Sequence, residues 1–332
     1  MIISIFFIIQ ILLVLLLPNK LYILNIIILY LPVAIRGNVG FDTCAYRTIF
    51  YNIENQYLNI EFGYYYINLF VSYFTENAQI IIIIISMMQG YLLYFICKNI
   101  KNQKIFLLMY TLSLYYSFSY NIIRFGLAAL FLGAAYVKRK STIYKYTNIA
   151  FALTFHSVGF IGILTNLRAR FILILLAIAG LFFFYFDPSH SVYYWKIKNL
   201  VNNSNFERDV SYIVYINILL SFILIFIVKA SVSRVLLLLL CLPFPLIVDL
   251  YIPLVGRVYL VGILFIIILI SNNWTTYSSI NKISILTLFL YIFIVNTGYF
   301  IVYGDEKVRV DPRGTASTYS IFVEQDNIRC FK

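Results

Sequence analysis

Residues 105–137 form one apolar run with a single charged residue, Arg124, inside it. A continuous helix of that length would reach roughly 50 Å at about 1.5 Å per residue. The hydrocarbon core of a bilayer is only about 30 Å thick. The run therefore predicts two helices with a break near Asn121–Gly126, and it puts Arg124 in the break.

Similar apolar stretches recur from end to end. The 332-residue chain is 62% hydrophobic and 11% charged, which leaves few groups able to do chemistry. A span needs roughly 20 predominantly apolar residues. Full spans are expected near 2–17, 21–35, 78–97, 105–121, 122–137, 171–186, 213–228, 235–252, 255–271 and 283–303. Residues 2–17 lack a basic leader and a small-residue cleavage site, so they read as an uncleaved first helix. Segment 62–75 is short and studded with tyrosines, which suits a half-helix at the interface. Segment 146–165 is long enough to span, but His156 interrupts its centre. The expected fold is all-α: a polytopic integral membrane bundle of about 10–12 helices, with short or broken segments lining an outward-facing cavity. Residues 1–303 make that domain, with outer loops at 36–61 and 187–212, and 304–332 make a polar C-terminal tail.

Lysines and arginines in short loops set orientation. Lys98, Lys101 and Lys104 mark one cytoplasmic turn, and Lys138, Arg139, Lys140 and Lys145 mark the next. If 62–75 and 146–165 do not cross, Arg168, Arg170, Lys229, Arg234 and Lys282 also fall inside. The acidic residues then fall outside, together with Arg36, Arg124 and Arg257. If both segments cross, these candidates scatter to the two faces. The +12 formal charge is thus spent on topology and does not suggest nucleic acid. Four cysteines without a CxxC pair give no disulfide framework or metal site, and no dinucleotide or P-loop glycine pattern is present.

The polar loop after Ile35 opens Arg36-Gly-Asn-Val-Gly40-Phe-Asp42-Thr-Cys-Ala-Tyr46. A guanidinium stays charged and grips phosphate oxygens through two N–H groups, so Arg124 suits a pyrophosphate at the membrane surface. A helix-end arginine can also simply snorkel to the interface. Arg257 follows Pro243, Pro245, Asp249 and Pro253, a pattern that argues for a broken helix lining a cavity. Asp249 either orients Arg257 or merely neutralises it. His156, in Phe155-His156-Ser157, is either a packing residue or, facing arginines, a neutral base. His190, beside Asp187-Pro188, reads as solvated. Asp42 is a base, the orienter of a sugar hydroxyl, a turn or capping residue, or the partner of Arg36. Glu61 suits the N-terminus of a half-helix. The base favoured on charge grounds is His156, because a positive field weakens an aspartate as a base.

With these residues placed, the chain resembles the EpsG-type branch of the Wzy polymerases over roughly residues 30–270. The resemblance rests on Arg36-x-x-x-Gly40-x-Asp42-x-x-x-Tyr46, Glu61-x-Gly63-Tyr64, Arg124 before small residues up to Ala129, His156-Ser157 and the late Arg257. Family members often have Gln after the mid-chain arginine, where this chain has Phe125. The resemblance implies a bacterial inner-membrane glycosyltransferase that polymerises O-antigen, capsular or exopolysaccharide repeat units. A growing glycan on undecaprenyl pyrophosphate would move en bloc to the non-reducing sugar of a lipid-linked acceptor, on the periplasmic or outer face. It implies no cofactor and no metal. Its partners would be lipid-linked glycans, the lipid bilayer, a chain-length regulator and a flippase. His156 and Asp42 become the catalytic candidates, and Arg36, Arg124, Arg257, Tyr46 and Glu61 the substrate-binding ones. The alternative is a lipid-linked glycan flippase, which would carry charge through the full membrane depth, whereas the candidates here cluster towards one face. A membrane O-acyltransferase is weaker still, since nothing suggests an acyl-donor site.

Overall fold

The computed structural model describes residues 2–36, 43–56, 60–137, 141–164, 212–228, 231–249 and 257–310. The expected span 171–186, most of the loop 187–212 with His190, and Gly40, Asp42, Lys138, Arg139, Lys140, Arg168, Arg170 and Lys229 lie outside the described residues, as does the tail from 311.

The described residues build an all-helical protein without a strand element. It divides into two compact units, one of Met1–Gly162 with Ile267–Lys332, the other of Ile163–Ile266. In the first unit α1 (Ile2–Leu16), α2 (Tyr22–Ala34), α3 (Thr43–Tyr51), α4 (Phe62–Ser72), α5 (Gln79–Lys98), α6 (Gln103–Ser113), α7 (Ile123–Val137) and α8 (Thr142–Phe155) follow in order, and the boundary between the units falls within α9 (Phe160–Leu164). In the second unit come α10 (Tyr212–Ile227), α11 (Val232–Cys241) and α12 (Pro243–Asp249). The helix α13 (Val258–Asn273) runs from the second unit into the first, which α14 (Ser279–Val310) completes. Two of these are long and apolar enough to cross a bilayer, α5 and α13 with the turn that extends it to Thr276.

The other apolar helices are shorter because the chain breaks them. The expected break in 105–137 is a π-helical turn, Ser117–Asn121, between α6 and α7. There the Ile122 N–H reaches back five residues to the Ser117 carbonyl at 2.9 Å. Side chains hold this turn. Gln89 of α5 donates through Nε2 to the Phe118 carbonyl at 3.0 Å and the Ile123 carbonyl at 2.9 Å. Pro32 inside α2 has no N–H for the Ile28 carbonyl four residues before it, and Gln10 supplies a substitute donor at 3.2 Å. The stretch expected as one span over 235–252 is two helices, α11 and α12, parted at Leu242 ahead of Pro243. A proline is accepted at a helix start, where its missing N–H is not needed.

Three further differences concern boundaries. The interruption at His156 is an end: α8 stops at Phe155 and His156 is fully extended. Helix α14 continues past 303 to Val310, where Asp311-Pro312 follows, and a residue before proline disfavours helix. Most importantly, the polar loop 36–61 contains α3. Its buried Tyr46 and Phe50, followed by Ile53, repeat at helical spacing and pack towards α4.

Helix α2 packs along α5, α5 along α7, and α7 along α8. Two glycines set the closest approaches. A Cβ on Gly126 would lie 2.6 Å from both the Cβ and the carbonyl oxygen of Phe118, so α7 leaves the π turn in direct contact with it. A Cβ on Gly63 would meet Thr154 Oγ1 at 2.7 Å, which seats the start of α4 on the end of α8. The π turn, the end of α2, α3, the start of α4 and the end of α8 thereby gather at one end of this unit.

Candidate active site

Arg124 stands in the first turn of α7. Its Nη1 donates to Glu61 Oε2 at 2.5 Å, with the two side chains 23% and 27% exposed. Glu61 immediately precedes α4, where a carboxylate also favours the helix N-terminus. The Arg124 guanidinium lies over the rings of Tyr64 at 5.0 Å and Tyr46 at 5.6 Å. The two phenols meet edge to face at 5.9 Å. An ion pair resting on two rings has a fixed orientation, which a snorkelling side chain lacks.

A second cationic group lies deeper. Arg36 follows α2 and is fully buried. Its Nη1 donates to the Ser119 carbonyl in the π turn, and its guanidinium lies 5.3 Å from the Tyr120 ring centroid. Its Nε and Nη2 have no hydrogen-bond partner among the described residues. Arg47 of α3 is buried too, donating to Gln79 Oε1 at 2.6 Å, while Gln79 donates to the Ala34 carbonyl at 2.7 Å. Arg36 lies within electrostatic reach of Arg47 and of the Tyr46 phenol. Tyr46 thus faces Arg124 and lies within electrostatic reach of Arg36. Burial lowers the Arg36 pKa to about 10, which still leaves the group charged at neutral pH.

His156 sits beside this cluster through Phe125, whose ring it meets edge to face at 5.3 Å. That contact accounts for an aromatic residue after Arg124. The Val158 N–H donates to His156 Nδ1 at 3.1 Å, so the neutral ring carries its proton on Nε2.

The fold thus brings together Arg36, Tyr46, Glu61 and Arg124, with His156 adjoining. Asp42 lies outside the described residues. Arg257 immediately precedes α13 in the second unit, where it is exposed. Sequence reasoning overlooked Arg47, Tyr64 as a ring under Arg124, and Gln79. A helical signal was present in Tyr46, Phe50 and Ile53, and it would have placed Arg47 on a helix instead of in a loop. Among the described residues no three His, Cys, Asp or Glu side chains come together.

The sequence model of the EpsG family matches residues 19–308, a stretch that includes every residue of this site. The chain belongs to the EpsG family. EpsG proteins are a Wzy-type polysaccharide polymerase family, so this chain is a polysaccharide polymerase of glycosyltransferase type. The family and the apolar helices together point to a membrane protein acting on lipid-linked glycans. Neither curated proteins nor solved structures gave a match to this EpsG chain.

Proposed function

We propose that this EpsG protein lies in the bacterial inner membrane as a bundle of about 10–12 spans and polymerises undecaprenyl-pyrophosphate-linked repeat units of O-antigen, capsule or exopolysaccharide on the outer face. The observation that carries the reading is Arg36: a buried guanidinium, charged at neutral pH, with two donors unsatisfied among the described residues. A buried cation with spare N–H groups calls for an anion.

In the reaction the bond between the donor glycan's anomeric carbon and its pyrophosphate oxygen breaks, and the electron pair leaves with the pyrophosphate. A hydroxyl of the acceptor's non-reducing sugar bonds to that carbon, and its proton passes to a base. Leaving-group charge is the main demand, and preorganised guanidinium groups meet it. Arg36 and Arg124 hold the pyrophosphate, with Arg47 raising the local field. Glu61 orients Arg124, and Tyr46 and Tyr64 offer phenols to the sugar. The base comes from His156 or Asp42. Because His156 Nδ1 already accepts the Val158 N–H, we favour His156 as a hydrogen-bond donor through Nε2 and Asp42 as the base.

The test is the surface glycan of a strain deleted for this gene and complemented with variants. Single-repeat glycan in the deletion supports the polymerase, and complete loss of surface glycan would favour a flippase. Polymer of normal length from Arg124→Ala, at wild-type expression, would remove that residue from the site.

A further inference from the structure

The anchor of Arg36 and the start of α7 with Arg124 lie on either side of one helix break, and a single amide from a third helix ties the break together. Gln89 is fully buried in the middle of α5. Its Nε2 donates to the Phe118 carbonyl at 3.0 Å and to the Ile123 carbonyl at 2.9 Å. Ser119 follows Phe118, and its carbonyl accepts from Arg36 Nη1. Arg124 follows Ile123 and pairs with Glu61. One nitrogen therefore joins the backbone just before the Arg36 anchor to the backbone just before Arg124.

Backbone satisfaction explains only one of the two bonds. In an α-helix the Ile122 N–H would serve the Phe118 carbonyl, four residues back. Here it goes to Ser117 instead, so Phe118 loses its ladder donor and Gln89 supplies a replacement. The Ile123 carbonyl has no such deficit, because it opens α7 and belongs to that helix's own ladder. The second bond thus joins the two sides of the break beyond what the turn needs. The amide also leaves its Oε1 buried with no partner among the described residues. An unpaired buried oxygen is destabilising, so packing alone would favour an apolar side chain here.

Helix α5 is a suitable reference for both sides. It packs against α2, which leads to Arg36, and against α7, which carries Arg124. The residue after Gln89 is Gly90, where a Cβ would sit 3.5 Å from the Tyr30 ring of α2. Groups supported from a helix are held more closely than groups supported from a loop.

We propose that Gln89 is a positioning residue for glycan transfer: by tying the Phe118 and Ile123 carbonyls together it sets the spacing of Arg36 and Arg124 about the pyrophosphate. This rests on the polymerase reading and adds an uncharged residue that fixes the geometry. Gln89 acts through the two arginines and not on the substrate. Its loss leaves both guanidinium groups present and charged, so the lipid-linked substrate still binds. They no longer meet the developing leaving-group charge together, and a misplacement of about 1 Å costs on the order of 100-fold in rate.

The test uses the full-length protein in nanodiscs with purified lipid-linked repeat units. Gln89→Met keeps the length, the unbranched shape and the helix propensity but has no donor. It should lower kcat about 10- to 100-fold with KM little changed. Amide hydrogen exchange should quicken over Ile122–Gly126 and stay as in wild type elsewhere in α7. Combined with Arg36→Lys, it should lose far less than the product of the two single losses, because residues that act through one another are not additive. Gln89→Asn keeps the amide but falls one methylene short of the carbonyls. It should show the same pattern with a smaller loss, and it carries the test should Gln89→Met not fold. Unchanged kcat, a rise in KM alone, a fully additive loss with Arg36→Lys, or lost turnover without faster exchange at the turn would each overturn the proposal. A wild-type protein that makes no polymer would sink the polymerase reading and this proposal with it, whereas an active wild type beside an unimpaired Gln89→Met sinks the proposal alone.

Discussion

The two cationic groups at the site are built on opposite rules. Arg124 is neutralised: Glu61 meets it at 2.5 Å, two rings support it, and both charged side chains remain about a quarter exposed. Arg36 is fully buried and pairs with a backbone carbonyl, with no carboxylate partner among the described residues. A cation whose pKa is lowered on folding costs stability throughout the pH range below that value, which for Arg36 includes neutral pH. The first arrangement is what a fold builds to keep an arginine in place. The second is what the proposed mechanism requires, with the counter-charge arriving on the substrate. On the mechanism proposed above, the contrast gives the Arg124–Glu61 pair mainly a positioning role and Arg36 the larger share in holding the anion.

The largest effect should come from Arg36→Lys. Lysine keeps the charge and can still reach the Ser119 carbonyl, but it loses the fork that would bind two phosphate oxygens. Removing a preorganised donor from a developing anion typically costs about 100-fold or more in rate. We expect polymer formation from purified lipid-linked repeat units to fall on that order, with the unfolding temperature little changed. Equal activity of Arg36→Lys and wild type would abolish the distinction between the two groups.

Glu61→Gln acts on the other member of the comparison. The amide keeps the shape and removes the charge from Arg124. A hydrogen bond between charged groups contributes about 1.5–3 kcal/mol, and partial exposure puts this pair near the lower end. We expect about 1–2 kcal/mol lower stability by thermal unfolding in detergent and a roughly tenfold loss of polymerisation. A large loss of activity without any loss of stability would show that Glu61 touches substrate directly.

Gly126→Ala tests what holds the two groups in register. The new Cβ would press on Phe118, directly before the Ser119 that Arg36 grips, while Gly126 itself lies two residues after Arg124. Overpacking of this kind costs about 1–3 kcal/mol. It should reduce activity several-fold through position alone, seen as a change in turnover with lipid-linked substrate still bound. Unchanged stability would mean that the π turn yields easily.

Much of this was legible beforehand, and the rest was hidden for physical reasons. The break before Arg124 followed from length, because no bilayer accommodates the whole run 105–137 as one helix. Its π character did not follow, since that depends on Gln89 from another helix taking two carbonyls at the turn. Arg36, Glu61 and Arg124 stood out because charged residues are only 11% of this chain, and Tyr46 through its spacing after Arg36 and Asp42. Arg47 was masked by its surroundings, since a short helix flanked by polar residues reads as loop. Gln79 and Gln89 carry no charge, and an amide within an apolar stretch gives no sign of which carbonyl it serves.

The smallest effect should come from His156→Asn, and it decides the base. His156 caps the turn after α8 through Nδ1, and an asparagine oxygen can accept the same Val158 N–H. The substitution therefore preserves the local backbone at a cost of about 1 kcal/mol or less. It removes the Nε2 donor and every possibility of proton abstraction by the ring. If His156 only donates a hydrogen bond, contributing about 0.5 kcal/mol, polymerisation should drop about twofold and keep its pH dependence. A catalytic base contributes about 100- to 10,000-fold, so its loss would leave almost no polymer at equal expression. Asp42→Asn should then show the deeper loss of the two. Comparison of both variants across pH 5 to 9, with lipid-linked repeat unit in excess, separates the roles. A dead His156→Asn beside an active Asp42→Asn would mean that the ring gives up its cap to take the proton, and would return the base to His156.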